Sequence, residues 1–191
     1  MMNKAVFLDR DGVINGKAPG DGYITRWQDF RILPGVAEAI RRLRDAGFLV
    51  IVITNQRCVA KGLLSESELQ EIHQNMVRML RRQKAAINAV YYCPHEVDEN
   101  CGCRKPRPGM ILQAARDHQI DLHSSWMVGD DCRDVETGKA AGCKTILLAA
   151  THAAHHSAPQ ADFVVPSLDE AVEYIVKESR LFCNPAGREA G

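Results

Sequence analysis

Short runs of consecutive apolar residues alternate along this chain with stretches in which apolar positions recur every three or four residues. The runs at 5–8, 48–53, 87–92, 126–128, 145–148 and 163–165 have strand length, as expected of strands buried on both faces. Pro34 opens a first helix with Val36, Ala39, Ile40 and Leu43 as its apolar stripe and Gly47 as its stop. Ser65 and Glu68 form a capping-box signature ahead of Leu69, Ile72, Met76 and Leu80. On this second helix Met76 and Met79 read as core filler and His73 as a surface or packing histidine. Pro108-Gly109 starts a third helix running to about Gln119, a fourth runs from about Arg133 to Gly142, and a last amphipathic one spans 168–176. Strands alternating with helices predict an α/β fold with a doubly wound, mostly parallel sheet, in one domain over residues 1–180 with a frayed tail at 181–191.

Polar clusters appear where strands run out. Asp9, Asp11 and Gly12 end the first strand, and Thr54-Asn55-Gln56 the second; Arg104-Lys105 follows the third, and Gly129-Asp130-Asp131 ends the fourth. In an open parallel sheet these ends share one edge, where ligands bind. Alone, Asp9-Arg10-Asp11-Gly12 is equally a strand end followed by a turn; four clusters in register point to chemistry. Two carboxylates two residues apart repel each other unless a divalent cation, a shared proton or a cationic group relieves them. Acids, a hydroxyl and a lysine together are the components of phosphoryl transfer. Asp9 and Asp130 can ligate Mg²⁺, a carboxylate can attack phosphorus, and an acid two residues on can serve the leaving group and the hydrolytic water. Thr54 and Lys105 would then hold the transferring oxygens. Residues 16–33, with Gly16, Pro19, Gly20, Gly22, Tyr23 and Trp27, form a loop long enough to overhang such a site.

Charge and cysteine content narrow the class. The 191 residues carry 24 Lys plus Arg and 24 Asp plus Glu, which argues against a nucleic-acid binder. No run is long enough to span a membrane, and the N-terminus enters the first strand without a secretory signal. Seven cysteines, three of them within 93–103, suit a reducing cytoplasm with thiols kept for metal or packing. Cys93, His95, Cys101 and Cys103 make a closed set of four ligands, the composition of a structural zinc site. Cys58, Cys132, Cys143 and Cys183 read as packing thiols, and His152, His155 and His156 as a solvated loop without acidic or thiol partners. The expected partner is a small phosphorylated metabolite, and the expected state a monomer.

The segments Phe7-Leu8-Asp9-Arg10-Asp11-Gly12, Ile53-Thr54-Asn55-Gln56, Cys103-Arg104-Lys105-Pro106 and Gly129-Asp130-Asp131 resemble the four signature motifs of the haloacid dehalogenase (HAD) superfamily of phosphatases. The resemblance runs from about residue 4 to 178 and is nearest to the phosphatases of heptose 1,7-bisphosphate and of histidinol phosphate. It implies a Rossmann-like HAD fold with Asp9 as nucleophile, Asp11 as acid and base, and Thr54 and Lys105 on the phosphoryl group. It also implies Mg²⁺ on Asp9, Asp130 and the Asp11 backbone carbonyl, and the same zinc ligands; Asp131, next to Asp130, is a further metal candidate of this sequence. Substrate contacts are implied for Asp21, Gly22 and Tyr23, for Asn55, Gln56 and Arg57, and for Arg104. The intervals from Asp11 to Thr54 and from Thr54 to Lys105 hold no cap domain. Pro106-Arg107-Pro108-Gly109-Met110 is more similar to the heptose enzymes, whereas Arg57-Cys58 and Asp131 depart from their pattern. Histidinol phosphate stays open as substrate, and so does a non-catalytic receiver-like or zinc-stabilised binding module.

Overall fold

The computed structural model describes residues 2–20, 22–149 and 160–183. Six strands, β1 (Lys4–Leu8), β2 (Phe48–Asn55), β3 (Ala89–Cys93), β4 (Trp126–Gly129), β5 (Lys144–Leu148) and β6 (Phe163–Val165), form one sheet in the order β3-β2-β1-β4-β5-β6. Every pairing is parallel. Five helices cover it: α1 (Val36–Asp45), α2 (Glu66–Arg82), α3 (Gly109–His118), α4 (Cys132–Ala141) and α5 (Leu168–Cys183).

The unbroken apolar strands follow from this layering, because each strand faces helices on both sides. Along β1, Val6 and Leu8 join the core beneath α1, α2 and α5, while Ala5 and Phe7 join the core beneath α3 and α4. The chain winds from β1 out to β3 on one side and from β4 out to β6 on the other. The strand order therefore reverses between β1 and β4, and their C-terminal ends flank the crevice in which such sheets bind ligands. Between β1 and β2 lie a loop, a single 3-10 turn (Trp27–Asp29) and α1; between β2 and β3 lies α2. No cap domain is inserted among the described residues.

Several expectations shift. Helix α5 continues to Cys183, seven residues past Val176, so residues 181–183 belong to the helix and not to a tail. Neither Gly nor Pro interrupts Lys177–Arg180, and Glu178 is anchored by Lys144 at 2.7 Å. Strand β3 starts at Ala89, because Asn88 spends its backbone N–H and its side-chain Oδ1 on Val50. Met79 is 40 % exposed: the buried face of α2 runs through Leu69, Ile72, His73, Met76 and Leu80 and passes it by. Cys58 and Cys143 are buried, as packing thiols should be. The His152, His155 and His156 loop lies outside the described residues.

Candidate active site

The four polar clusters converge on a cleft of about 560 Å³ at the C-terminal edge of the sheet. Asp9, Asp11, Gly22, Tyr23, Thr54, Asn55, Gln56, Arg57, Arg104, Lys105, Asp130 and Asp131 all line it. Asp21 lies outside the described residues.

At the end of β1 the chain keeps its pairing to β4 for one more residue, Asp9 N–H donating to Val128 O at 3.0 Å, and then turns. Asp9 Oδ1 accepts from the Arg10 N–H at 2.7 Å and faces Lys105 Nζ at 2.8 Å. Burial pushes its pKa up to about 6, with Lys105 partly offsetting the desolvation. Lys105 is itself buried, and its ammonium also donates to Asp134 Oδ1 at 2.6 Å and to Ile53 O at 3.2 Å. Burial disfavours its charge, but Asp134 and Asp9 outweigh that and raise its pKa. Its backbone is clamped to the end of β2, where Asn55 Oδ1 accepts from Lys105 N–H and Asn55 Nδ2 donates to Lys105 O.

Asp11 points into a different network. Arg10, fully buried, grips both Asp11 oxygens through Nη2 at 2.9 Å, and Asn15 and Gln56 donate to the same carboxylate. Burial works against the charge, yet Arg10, Asn15 and Gln56 bring the pKa below its ordinary value, so the resting group is ionised. Gln56 turns its amide inward, donating to Thr54 Oγ1 as well as to Asp11, while its Oε1 accepts from the Cys58 thiol. Gln56 is buried, and these internal partners account for both ends of its amide. Arg10 Nη1 also meets His73 Nε2 at 3.0 Å. Burial and the adjacent guanidinium push His73 down to about 3, so the ring is neutral and accepts from Arg10.

Asp131 stands apart from the acid cluster. Its carboxylate caps α4 by accepting from Arg133 N–H at 2.9 Å and pairs with the Arg133 guanidinium. The place expected for it beside Asp9 and Asp130 is taken by Asp134, one turn further along α4. Gly129 makes this possible, since a Cβ there would lie 2.2 Å from the Asp134 side chain. Asp134, Arg10, Lys17, Lys61 and Arg133 line or support the cleft without having been singled out in the sequence.

Oxygens of Asp9, Asp130 and Asp134 lie within 4.8 Å of one another, and Asp130 Oδ1 is buried without a hydrogen-bond partner. A hard divalent cation suits that set, since oxygen ligands and carboxylates are what Mg²⁺ takes. Beyond β3, Cys93 Sγ lies 3.5 Å from Cys101 Sγ and from His95 Nδ1, and His95 Nδ1 lies 3.2 Å from Cys103 Sγ. These are close to the edges of a tetrahedron about 2.3 Å in radius, the dimension of a Zn²⁺ site with thiolate ligands. Arg57, at the far side, pairs with Glu96 of this loop, and Arg104 donates to His95 O at 3.2 Å.

An α/β sheet with this acid–lysine cluster at its switch point defines a phosphoryl-transfer enzyme of the HAD type. The HAD-hydrolase-like family model matches residues 102–171. D-glycero-beta-D-manno-heptose-1,7-bisphosphate 7-phosphatase of Haemophilus ducreyi is 38 % identical over 92 % of this chain and 100 % of its own length. The protein of the same name from Rhodopseudomonas palustris is 44 % identical over 72 % of this chain and 79 % of its own. The crystal structure of D,D-heptose 1,7-bisphosphate phosphatase from B. bronchiseptica, complexed with magnesium and phosphate, superposes with a TM-score of 0.84 at 35 % identity, covering 92 % of this chain and 99 % of that one. The chain belongs to the HAD phosphatases.

Proposed function

We propose that the protein is a Mg²⁺-dependent phosphatase that removes the C7 phosphate of D-glycero-D-manno-heptose 1,7-bisphosphate. The relatives' names support the sugar, and the cleft supports a substrate with two anionic ends. Lys17, Arg57, Lys61, Arg104 and Arg133 line it besides Lys105. Such a rim attracts a second phosphate and opposes the ammonium of histidinol phosphate. That cationic rim is the observation that carries the substrate assignment.

Asp9 attacks phosphorus, forming an aspartyl-phosphate and expelling the C7 alkoxide, which takes a proton from Asp11. Asp11 is ionised at rest, and the arriving phosphate, a like charge beside it, raises its proton affinity into the range where it can act as an acid. Asp11 then takes a proton from the water that attacks the acyl phosphate, releasing inorganic phosphate. Thr54 and Lys105 hold the transferring oxygens. Asp9, Asp130 and the Asp11 carbonyl would hold Mg²⁺, with Asp134 adjacent; when bound, the ion neutralises phosphoryl charge. Cys93, His95, Cys101 and Cys103 would hold Zn²⁺ as a structural clamp on the loop leading to Lys105. Among the described residues no helix is long and apolar enough to cross a membrane. The reading is completed by a cytoplasmic monomer formed by one domain.

The test is phosphate release with Mg²⁺ from a panel of sugar bisphosphates and histidinol phosphate. Preferred turnover of the heptose bisphosphate is expected; preference for histidinol phosphate would overturn the substrate, and no turnover of any phosphate ester would return a binding module to consideration.

A further inference from the structure

Lys17 sits where a loop residue has little reason to be unless it meets charge. Its ammonium lies 2.7 Å from Asp130 Oδ2, although its side chain is 57 % exposed and that of Asp130 only 16 %. Gly12 opens the slot it uses. A Cβ at Gly12 would lie 1.9 Å from Asp130 Oδ2 and 2.7 Å from Lys17 Cε, and its φ of +95° is one that side-chain-bearing residues avoid. The other oxygen of Asp130 is the buried atom without a hydrogen-bond partner. One carboxylate, already selected as a cation ligand by its surroundings, is therefore touched by a cation on a long, exposed stem.

We propose that Lys17 is a further substrate-contacting residue. A divalent cation binding on Asp9 and Asp130 displaces the Lys17 ammonium from Asp130, and the ammonium then pairs with phosphate oxygens of the substrate. Two cations on one carboxylate repel each other even when each takes its own oxygen, which is the reason for displacement. The destination follows from the other acids described at the cleft, each of which already has its own cation. Asp9 and Asp134 hold Lys105, Asp11 holds Arg10, Asp131 holds Arg133 and Glu96 holds Arg57. The anion that enters the cleft is the partner left for Lys17, and a flexible lysine stem can follow it. Displacement costs little, because an ion pair with one exposed member is weak.

This inference rests on the phosphatase reading, and the experiment separates the two. Isothermal titration calorimetry of wild type, Lys17→Met and Lys17→Arg would measure Mn²⁺ binding to the substrate-free protein, then inorganic phosphate binding at saturating Mg²⁺. In Lys17→Met the two affinities are expected to move in opposite directions, Mn²⁺ tighter and phosphate weaker, each by roughly 2- to 5-fold. Lys17→Arg, which keeps the charge, is expected to stay near wild type for both. Unchanged affinities in Lys17→Met, or a change of the same sign in both, would overturn the proposal while leaving the phosphatase reading intact. Wild-type protein that binds neither Mn²⁺ nor phosphate would overturn both. Circular dichroism of each variant establishes that the fold is retained.

Discussion

Lys105 Nζ and Asp134 Oδ1 are 2.6 Å apart, both side chains at most 4 % exposed, in a contact that joins the loop after β3 to the first turn of α4. In the proposed reaction Lys105 neutralises a phosphoryl group, yet it stands on a flexible stem. Asp134 and the Ile53 carbonyl fix its ammonium beside Asp9.

Breaking this contact has a large expected cost. In Asp134→Asn the buried ammonium keeps Asp9 but loses its second carboxylate, a change worth about 3 kcal/mol for a buried pair. Urea denaturation should show that loss, and kcat should fall with it, because Lys105 is no longer held in place. A variant within about 0.5 kcal/mol of wild type would mean that the Asp134 contact contributes little.

His73 gives the protein a pH-dependent stability. Its folded pKa, about 3, lies below the ordinary value of 6.5. The unfolded state therefore binds the extra proton first. The contribution is fully present above pH 6.5 and is lost as pH falls towards 3, at about 1.4 kcal/mol per unit. His73→Gln keeps an acceptor for Arg10 and removes the titration. The wild-type-minus-variant difference in unfolding free energy should slope between pH 6 and 4; a flat difference would mean that the ring is not held neutral.

Arg104 reads the far end of the substrate if the cationic rim sets specificity. Arg104→Ala should raise KM for the heptose bisphosphate by about 10- to 100-fold, the range for a charge-assisted hydrogen bond. KM for a simple aryl phosphate, which has no second phosphate, should change little. Equal losses on both would place Arg104 in the chemistry or in holding the zinc loop through His95 O.

In the proposed reading a zinc-bound loop positions Lys105 from the other side, since Cys103 is two residues away. Cys101→Ser should lose zinc by elemental analysis and lower kcat by up to about 100-fold through misplacement of Lys105. Far-UV circular dichroism should stay the same, because Cys101 lies outside every strand and helix. Full activity without zinc would show the clamp to be dispensable.

Much of the fold and of the site is legible in the sequence itself. Strands buried on both faces leave unbroken apolar runs, and the acids at their ends stand out against them. The Cys/His cluster is conspicuous because thiols and an imidazole crowd into one short loop. Asp134 was harder to see: it falls in the first turn of a helix, where an acid three residues after Asp131 reads as a cap. It does serve that cap, accepting from Asp131 N–H at 3.1 Å. Arg10 sits between the two acids that drew attention, and nothing local says that it is buried on His73, 63 residues away. Lys17 and Lys61 stand in loops, where no periodicity constrains direction. Asp130 and Asp131 are hard to tell apart for a related reason: adjacent acids look equivalent in sequence and both line the cleft, but the start of α4 pairs Asp131 with Arg133 while Asp130 joins Asp9 and Asp134.

The most direct measurement is phosphate release from D-glycero-D-manno-heptose 1,7-bisphosphate by wild type and Asp9→Asn, each with Mg²⁺ and with EDTA. Wild type should release one phosphate with Mg²⁺ and lose activity in EDTA. Asp9→Asn, whose amide cannot form the acyl phosphate, should fall by about 10,000-fold or more while keeping its fold. Near-normal release by Asp9→Asn, or release by wild type that persists in EDTA, would contradict a Mg²⁺-dependent reaction through Asp9.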